Sequence, residues 1–510
     1  MSFSTVLSAS VQGLKVEFVH VEADVSNGLP AFHMVGYLSS EVKEAAERVR
    51  TAIRNSGLDF PAKKTVINLS PATMRKRGAA FDLPIAVAIL VSLGLIPEDN
   101  VKNALVIGEL SLDGCLQKVP GILPVIMEAR AAGIPVCVVP KANAPEGALV
   151  EGVAVLGVRN LHEVISFLSG EVRLEPEPYP KHKKEEPVQK FPDYSEIQGQ
   201  ENVKRAAEVA VAGGHNLLLV GPPGSGKTMV ARRIPGILPP MTLEESMEIT
   251  KIYSIMGLVD KEAPLIRQRP FRSVHHTATK AALIGGGLVP APGEISLAHG
   301  GVLFLDELPE FQKAVLEVLR QPLEEHQIRI TRAHGNYVFP ANFILIAAMN
   351  PCPCGCYPDF ERCTCTPGQI QHYLGKISQP FIDRLDICVE APKVEYEALL
   401  RKRKGESSEE IRRRVCDARE IQNRRYAGTG IVSNAMLGVK ELAVYCRLGK
   451  AENRLMEQAF TSLRLTARTY HKILKVARTI ADLDGQERIA VKHIKEAIGY
   501  RTMDKKYWGR

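Results

Sequence analysis

At 510 residues the chain is longer than one hydrophobic core supports, so about two to four domains are expected. A hydrophobic content of 45% with 24% charged residues is that of an ordinary soluble globular protein. The net charge of +8 is compatible with a polyanionic partner, but over this length it is too dilute to establish one. The start of the chain lacks a basic stretch followed by an apolar core, and the longest apolar run, Leu83–Ile96, is too short to cross a bilayer, so a cytoplasmic chain with no membrane partner is expected.

The chain opens with strand-like alternation at Leu14, Val16 and Phe18, then at Phe32 and Met34. Ser40–Ser56 places Val42, Ala45, Ala46, Val49, Ala52 and Ile53 at helical spacing. Lys64–Leu69 reads as a strand and Asp82–Leu95 as a buried helix. Next come a strand at Ala104–Leu110, a turn at Leu112–Gly114, a helix near Ile122–Ala132 and an apolar strand at Val136–Val139. Residues 1–170 therefore form a mixed α/β domain.

Two stretches of this domain, RKRGAAFDLPIAVAI (Arg75–Ile89) and LSLDGCLQKVPGILPVIMEARAAGIPVCVVPKAN (Leu110–Asn143), resemble the serine- and lysine-bearing segments of Lon proteases. That chemistry needs a serine nucleophile activated by a lysine base. Ala80 stands in place of the serine and Leu123 in place of the lysine, and Ser70 and Lys118 are off register. The resemblance implies an inactive Lon-protease-like domain that serves as a scaffold or platform. Residues 171–192, rich in Pro and in charges of both signs, read as an exposed connector.

The apolar run Leu217–Val220 leads into Gly221, Pro222, Pro223, Gly224, Ser225, Gly226, Lys227 and Thr228, then a helical segment. This is the G-x-x-x-x-G-K-[ST] loop in strand–loop–helix context. Backbone N–H groups cradle phosphate oxygens, Lys227 reaches the β- and γ-phosphates, and the Thr228 hydroxyl ligates Mg²⁺. About eighty residues on, GVLFLDE (Gly301–Glu307) ends an apolar strand in two carboxylates. Asp306 is expected to hold Mg²⁺, and Glu307 to orient and deprotonate the attacking water. The strand Phe343–Ala347 leads to Asn350, an amide placed to hold that water or to sense the γ-phosphate. In PFIDRLD (Pro380–Asp386), Arg384 either stabilises the phosphoryl group of a neighbouring subunit or pairs with Asp383 or Asp386 on its own surface.

These four elements resemble the AAA+ ATPases, and RPFRSVHHTATKAALIGGG (Arg269–Gly287), PGEISLAHGGVLFLDELPEF (Pro292–Phe311) and AAMNPCPCG (Ala347–Gly355) resemble the magnesium-chelatase-like branch. Within it the chain is similar to the YifB/ComM family along essentially its whole length. The family pattern departs at Gln379, where Gly is expected before the proline. The resemblance implies an α/β multidomain protein, with an AAA+ P-loop α/β ATPase domain over 193–395 and an all-α lid over 396–510. It further implies ATP and Mg²⁺ as ligands, a hexameric homo-oligomeric ring, and two insertions facing the pore. One insertion lies around Phe271–His299. The other, IRITRAHGNYVF (Ile328–Phe339), reads from its alternation as a hairpin with a His-Gly-Asn turn. Arg329, Arg332 and His334 near its tip suit phosphate contacts on a translocating strand, against the plainer reading of ordinary surface charge. His275 and His276 are adjacent and read as locally packed rather than metal-binding.

Of the ten cysteines, five fall within Cys352–Cys365. Cys352, Cys354, Cys363 and Cys365 form two C-x-C pairs suited to structural Zn²⁺, with Cys356 as a fifth thiol; a free-thiol or redox-labile loop is the alternative. In the lid, Glu409–Arg425 mixes charges as a solvated helix does. Arg468, at the start of the helix Leu465–Asp484, resembles the family's sensor 2, an arginine that touches the γ-phosphate; Arg478 on the same helix is the second choice. The family implies DNA remodelling, as a helicase or branch-migration motor on single-stranded or branched DNA during natural transformation and recombination. A chelatase-like ATPase acting on a protein partner is the alternative.

Overall fold

The computed structural model describes residues 3–180, 191–287, 290–332, 335–359, 361–393 and 405–508. The amino-terminal unit is built on a seven-stranded mixed sheet in the order Ala31–Val35, Lys64–Ser70, Lys15–Ser26, Phe3–Gln12, Ala104–Val106, Val136–Pro140, Ala154–Val158. Its first half is laid down by the long antiparallel pairing of Phe3–Gln12 with Lys15–Ser26. The helix Asp82–Ser92 is buried on every side, as its apolar run Leu83–Val91 requires. The expected helix over 40–56 is two pieces, Ser40–Lys43 and Ala45–Asn55, and the strand expected over 104–110 is confined to Ala104–Val106 and Glu109–Leu110.

Residues 171–180 are more attached than their composition foretells. The Glu177 backbone N–H donates to the Val155 carbonyl at 2.8 Å, and its carboxylate pairs with Lys141 at 2.7 Å. The rest of the connector, 181–190, and the expected boundary at 395/396 lie outside the described residues.

The central unit holds a five-stranded sheet, all parallel, in the order Phe271–Val274, Val302–Leu305, Ile344–Met349, Leu217–Val220, Ile387–Glu390. Its three middle strands are continuous apolar runs because both faces are covered. Phe271–Val274 is an edge strand of this sheet. The insertion expected over 271–299 therefore begins only after Val274, and carries the helix Lys280–Ile284 and the short ladder Gly285–Gly286 with Ala291–Pro292. The second hairpin pairs Gln327–Arg332 with Gly335–Pro340. Ile328, Ile330, Tyr337 and Phe339 bury one face of it, and Gly335 and Asn336 belong to its second strand rather than to a turn.

The helical unit begins at Ser408–Arg425, whose capping box joins Ser407 and Glu410. This helix is less solvated than its mixed charge foretells. Arg414 pairs with Glu208 of the central unit, Arg425 with the fully buried Asp482, and Arg419 donates to the carbonyls of Val211 and Val432. The helix Ala467–Leu483, capped by Thr466, packs on both Ser408–Arg425 and Glu201–Gly213.

The amino-terminal unit docks on the central one through the helices Ile122–Ala131 and Leu243–Ile255. Glu146, buried, accepts from the Leu123 N–H and the Ser254 hydroxyl, and Lys118 donates to the Val259 carbonyl at 2.6 Å. Leu123 lies in an apolar cluster against which Ala80, Met247 and Leu265 pack. Leu123 is thus at the joint between units, Ala80 packs against the same cluster, and Ser70 is engaged elsewhere, on Glu22.

His215 sits where the central sheet meets the helical unit, fully buried, with Nε2 2.7 Å from the Thr479 hydroxyl. Burial depresses its pKa to about 4. An unfolded histidine takes its proton near pH 6.5, so between these values the unfolded chain binds more protons and stability falls with acidification. Unfolding titrations from pH 7.5 to 4.5 are expected to show wild type losing stability below about pH 6.5 by up to about 1.4 kcal/mol per pH unit more than a His215→Gln variant.

Candidate nucleotide-binding and hydrolysis site

Parallel pairing carries the chemistry to one edge of the central sheet. Val220 is in register with Met349 and Glu390, Leu305 with Val274 and Ala347. The residues that follow these strands therefore emerge side by side: the loop from Gly221, the pair Asp306–Glu307, Asn350, and His275–His276. Gly221 is required by close approach, since a Cβ there would run into the Ala391 carbonyl oxygen.

Lys227 opens the helix Lys227–Arg233 and turns its ammonium back into the loop. It donates to the carbonyls of Gly221 at 2.7 Å and Pro222 at 2.9 Å, and to Asn350 Oδ1 at 3.2 Å. Burial lowers its pKa, and Asp306 opposes that shift. The Thr228 hydroxyl donates to Asp306 Oδ2 at 2.7 Å, which joins the two oxygens expected to hold Mg²⁺. Glu307 has a left-handed backbone, φ 52°, uncommon for a residue with a side chain and costing on the order of 1 kcal/mol. That backbone leaves its carboxylate largely exposed, 3.5 Å from His276 Nδ1. His276 is the neighbour of Glu307 that sequence reasoning missed; the signal for it was the placement of Phe271–Val274 beside Val302–Leu305.

The loop after Asn350 gathers its sulfurs. Those of Cys352, Cys354, Cys363 and Cys365 all lie within 4.8 Å of one another. Cys352 Sγ is 3.3 Å from Cys354 Sγ and 3.8 Å from Cys363 Sγ. Four ligands at the usual Zn–S length are about 3.8 Å apart on a tetrahedron, so the set has the span that zinc requires. Cys356 stands apart, its sulfur on the Cys354 carbonyl. The same loop leans on the phosphate loop: a Cβ at Gly355 would run into Pro223 Cδ.

Arg384 and Arg468 are at the other edge of the sheet. The Arg384 carbonyl accepts from the side chain of Asn216, which precedes the strand Leu217–Val220, so a strand of four residues, about 13 Å, separates it from its own phosphate loop. Its guanidinium is buried and pairs with neither Asp383 nor Asp386. It donates to the Pro380 carbonyl and to Glu324, at 2.8 Å. Gln379, where the family pattern has Gly, holds Asp383 with its amide at 3.2 Å. Arg468, 54% exposed, lies 3.5 Å from the same Glu324. This placement sets it at the edge opposite its own chain's phosphate loop. Arg478, the second choice, is buried on Asp482 and on the carbonyls of Gln486 and Glu487. Arg384 and Arg468 line a cavity of about 860 Å³ between this edge and the helical unit. Arg329 and Arg332 are exposed on the hairpin, and His334 lies outside the described residues.

Comparison with known proteins accounts for nearly the whole chain. The family described as "Magnesium chelatase, subunit ChlI" matches residues 193–399, "Subunit ChlI of Mg-chelatase" residues 21–143, and "Magnesium chelatase, subunit ChlI C-terminal" residues 405–501. The protein YifB of Escherichia coli is 43% identical over 507 residues, and the competence protein ComM of Haemophilus influenzae is 43% identical over 511; each comparison covers 99% of this chain and 98% of the relative. Lon protease 2 of Bacillus subtilis is 28% identical over 197 residues, 31% of this chain and 33% of that protein. Alike from end to end to both full-length relatives, the chain belongs to the YifB/ComM family of magnesium-chelatase-like AAA+ ATPases.

Proposed function

We propose that the protein is a ring-forming motor, hexameric and cytoplasmic, that couples ATP hydrolysis to the remodelling of single-stranded or branched DNA, as a helicase or branch-migration enzyme in transformation and recombination. The observation that carries the ring is the division of charged groups between the two edges of one sheet. The phosphate loop, Asp306, Glu307 and Asn350 share one edge, and Arg384 and Arg468 share the other. A chain so divided completes a site only by giving its arginines to a neighbour. The DNA half of the reading is supported by the exposed Arg329 and Arg332 and by the competence protein among the relatives.

In this reading the N–H groups of residues 221–228 and the Lys227 ammonium bind the phosphates. Thr228 and Asp306 would hold Mg²⁺, which would supply positive charge against the bound phosphates. Glu307 takes the proton of the attacking water, whose position Asn350 fixes. Arg384 and Arg468 of the neighbouring copy stabilise the charge that spreads over the departing phosphoryl group. The four clustered cysteines hold a structural Zn²⁺ that stiffens the loop resting on Pro223.

Glu307→Gln is expected to bind ATP normally and to lower kcat by at least about a hundredfold, read from nucleotide titration and steady-state turnover. Arg384→Ala rings are expected to lose about a thousandfold or more in kcat, and mixing them with Lys227→Ala subunits, which keep their arginine, should restore turnover. Single-stranded or forked DNA should stimulate the ATPase, and replacing Arg329 and Arg332 with Ala should weaken DNA binding and flatten its salt dependence. No stimulation and no DNA binding at low salt would sink the DNA reading and leave a protein partner. Metal analysis should return about one zinc per chain, and chelation should weaken nucleotide binding.

A further inference from the structure

The cavity between the sheet edge and the helical unit is lined by six Arg and Lys side chains, and four of them are committed to the fold. Arg269 is fixed on Glu245 and on the carbonyls of Pro239 and Gly300. Arg419 donates to two carbonyls, Lys472 to Asp386 at 2.9 Å and the Leu385 carbonyl, and Lys475 to the Ala435 carbonyl at 2.8 Å. Arg384 and Arg468 differ. They come from separate elements, the end of Gln379–Ile382 and the start of Ala467–Leu483, and they share one carboxylate oxygen, Glu324 Oε1.

Two guanidinium groups converging on one anionic oxygen repel each other unless that oxygen is present. The oxygen belongs to a half-exposed side chain at the end of the short helix Arg320–Glu325. Its pair with Arg468, exposed on both sides, is weak and readily exchanged, and Arg384 is held besides by the Pro380 carbonyl. The arrangement is also incompletely satisfied: Arg384 Nε is buried and has no hydrogen-bond partner among the described residues. A carboxylate engaged through one oxygen leaves that donor unused, whereas a terminal phosphate brings three acceptor oxygens.

We infer that Glu324 is a placeholder for the neighbouring subunit's γ-phosphate: its carboxylate holds Arg384 and Arg468 together before ring closure and is exchanged for phosphate when the ATP-bearing neighbour docks. The inference rests on the reading that both arginines act across a subunit interface, and it makes Glu324 a positioning residue whose effect passes through them. Removing its charge removes the competitor. The interface then closes at lower protein and ATP concentration, with no loss in the chemical step.

The test measures, for the full chain, the protein concentration at half-assembly by sedimentation with the slowly hydrolysed analogue ATPγS, and KM and kcat for ATP. Glu324→Gln is expected to lower the half-assembly concentration and KM by about threefold or more while kcat is retained. Glu324→Asp, which keeps the charge, should stay within about twofold of wild type. Arg384→Ala should raise the half-assembly concentration, and adding Glu324→Gln to it should lower that concentration by less than it does in the wild-type background. An unchanged or raised half-assembly concentration in Glu324→Gln, or equal behaviour of the Gln and Asp variants, overturns the inference while Arg384→Ala still reports an interfacial arginine. If Arg384→Ala alters neither assembly nor turnover, the interfacial reading itself is what has failed.

Discussion

Parallel strand pairing is the constraint from which the rest follows. A strand in a parallel sheet sends all its following residues to one edge and takes all its preceding residues from the other. Here the register sets Val220 beside Met349, and Leu305 beside Ala347 and Val274, so four segments distant in sequence deliver a phosphate loop, two carboxylates, an amide and a histidine pair to one edge. The opposite edge receives Asn216, Gly301 and Ile344, and against it rest Arg384 and the start of the Ala467–Leu483 helix. The sheet therefore keeps the anion-binding groups and the two arginines apart by its own length.

The remaining units are organised around the same sheet. Arg414 on Glu208 and His215 on Thr479 tie the helical unit to the arginine edge. Asn434, fully buried, donates to both Thr479 and Asp482, and Arg425 and Arg478 converge on that same aspartate. A buried aspartate with two arginines has one good arrangement, so the orientation of Ala467–Leu483, and with it Arg468, is fixed by pairs whose rupture would strand a buried charge. On the far side, the amino-terminal unit spends its protease-like positions on docking. Leu123 gives its N–H to Glu146 and its side chain to the cluster that receives Met247 and Leu265.

What was legible in the sequence was whatever depends on neighbours in the chain. The phosphate loop, the Asp306–Glu307 strand end, the hairpin around Ile328 and Phe339, and the C-x-C pairs are local patterns with local physical causes. What stayed hidden depends on strand order and helix docking. Phe271–Val274 reads as the beginning of an insertion, because an edge strand of four residues has little periodicity to reveal it. The proximity of His276 to Glu307 needs that strand to be placed first. Mixed charge along Ser408–Arg425 signals solvent on average, yet Arg414 and Arg419 reach the central unit and Arg425 the buried Asp482 of the helix Ala467–Leu483. Arg468 follows a family pattern to its helix, but the pattern does not say which chain's nucleotide the helix faces.

The cysteine loop shows how a surface feature enters the chemistry through the same register. Asn350 follows Met349, the last residue of its strand, and so accepts from Lys227; two residues further on the chain reaches Cys352, whose sulfur is buried among the others. Between the C-x-C pairs the loop turns at Gly355, with φ 81°, and passes Pro223 so closely that no side chain fits. A loop joined to the sheet only at its start would let Asn350 and the Pro223 contact drift independently. A metal on the four sulfurs, which are gathered within 4.8 Å, would close the loop on itself and restrict both contacts at once. The amide facing Lys227 and the wall behind the phosphate loop would then move as one body.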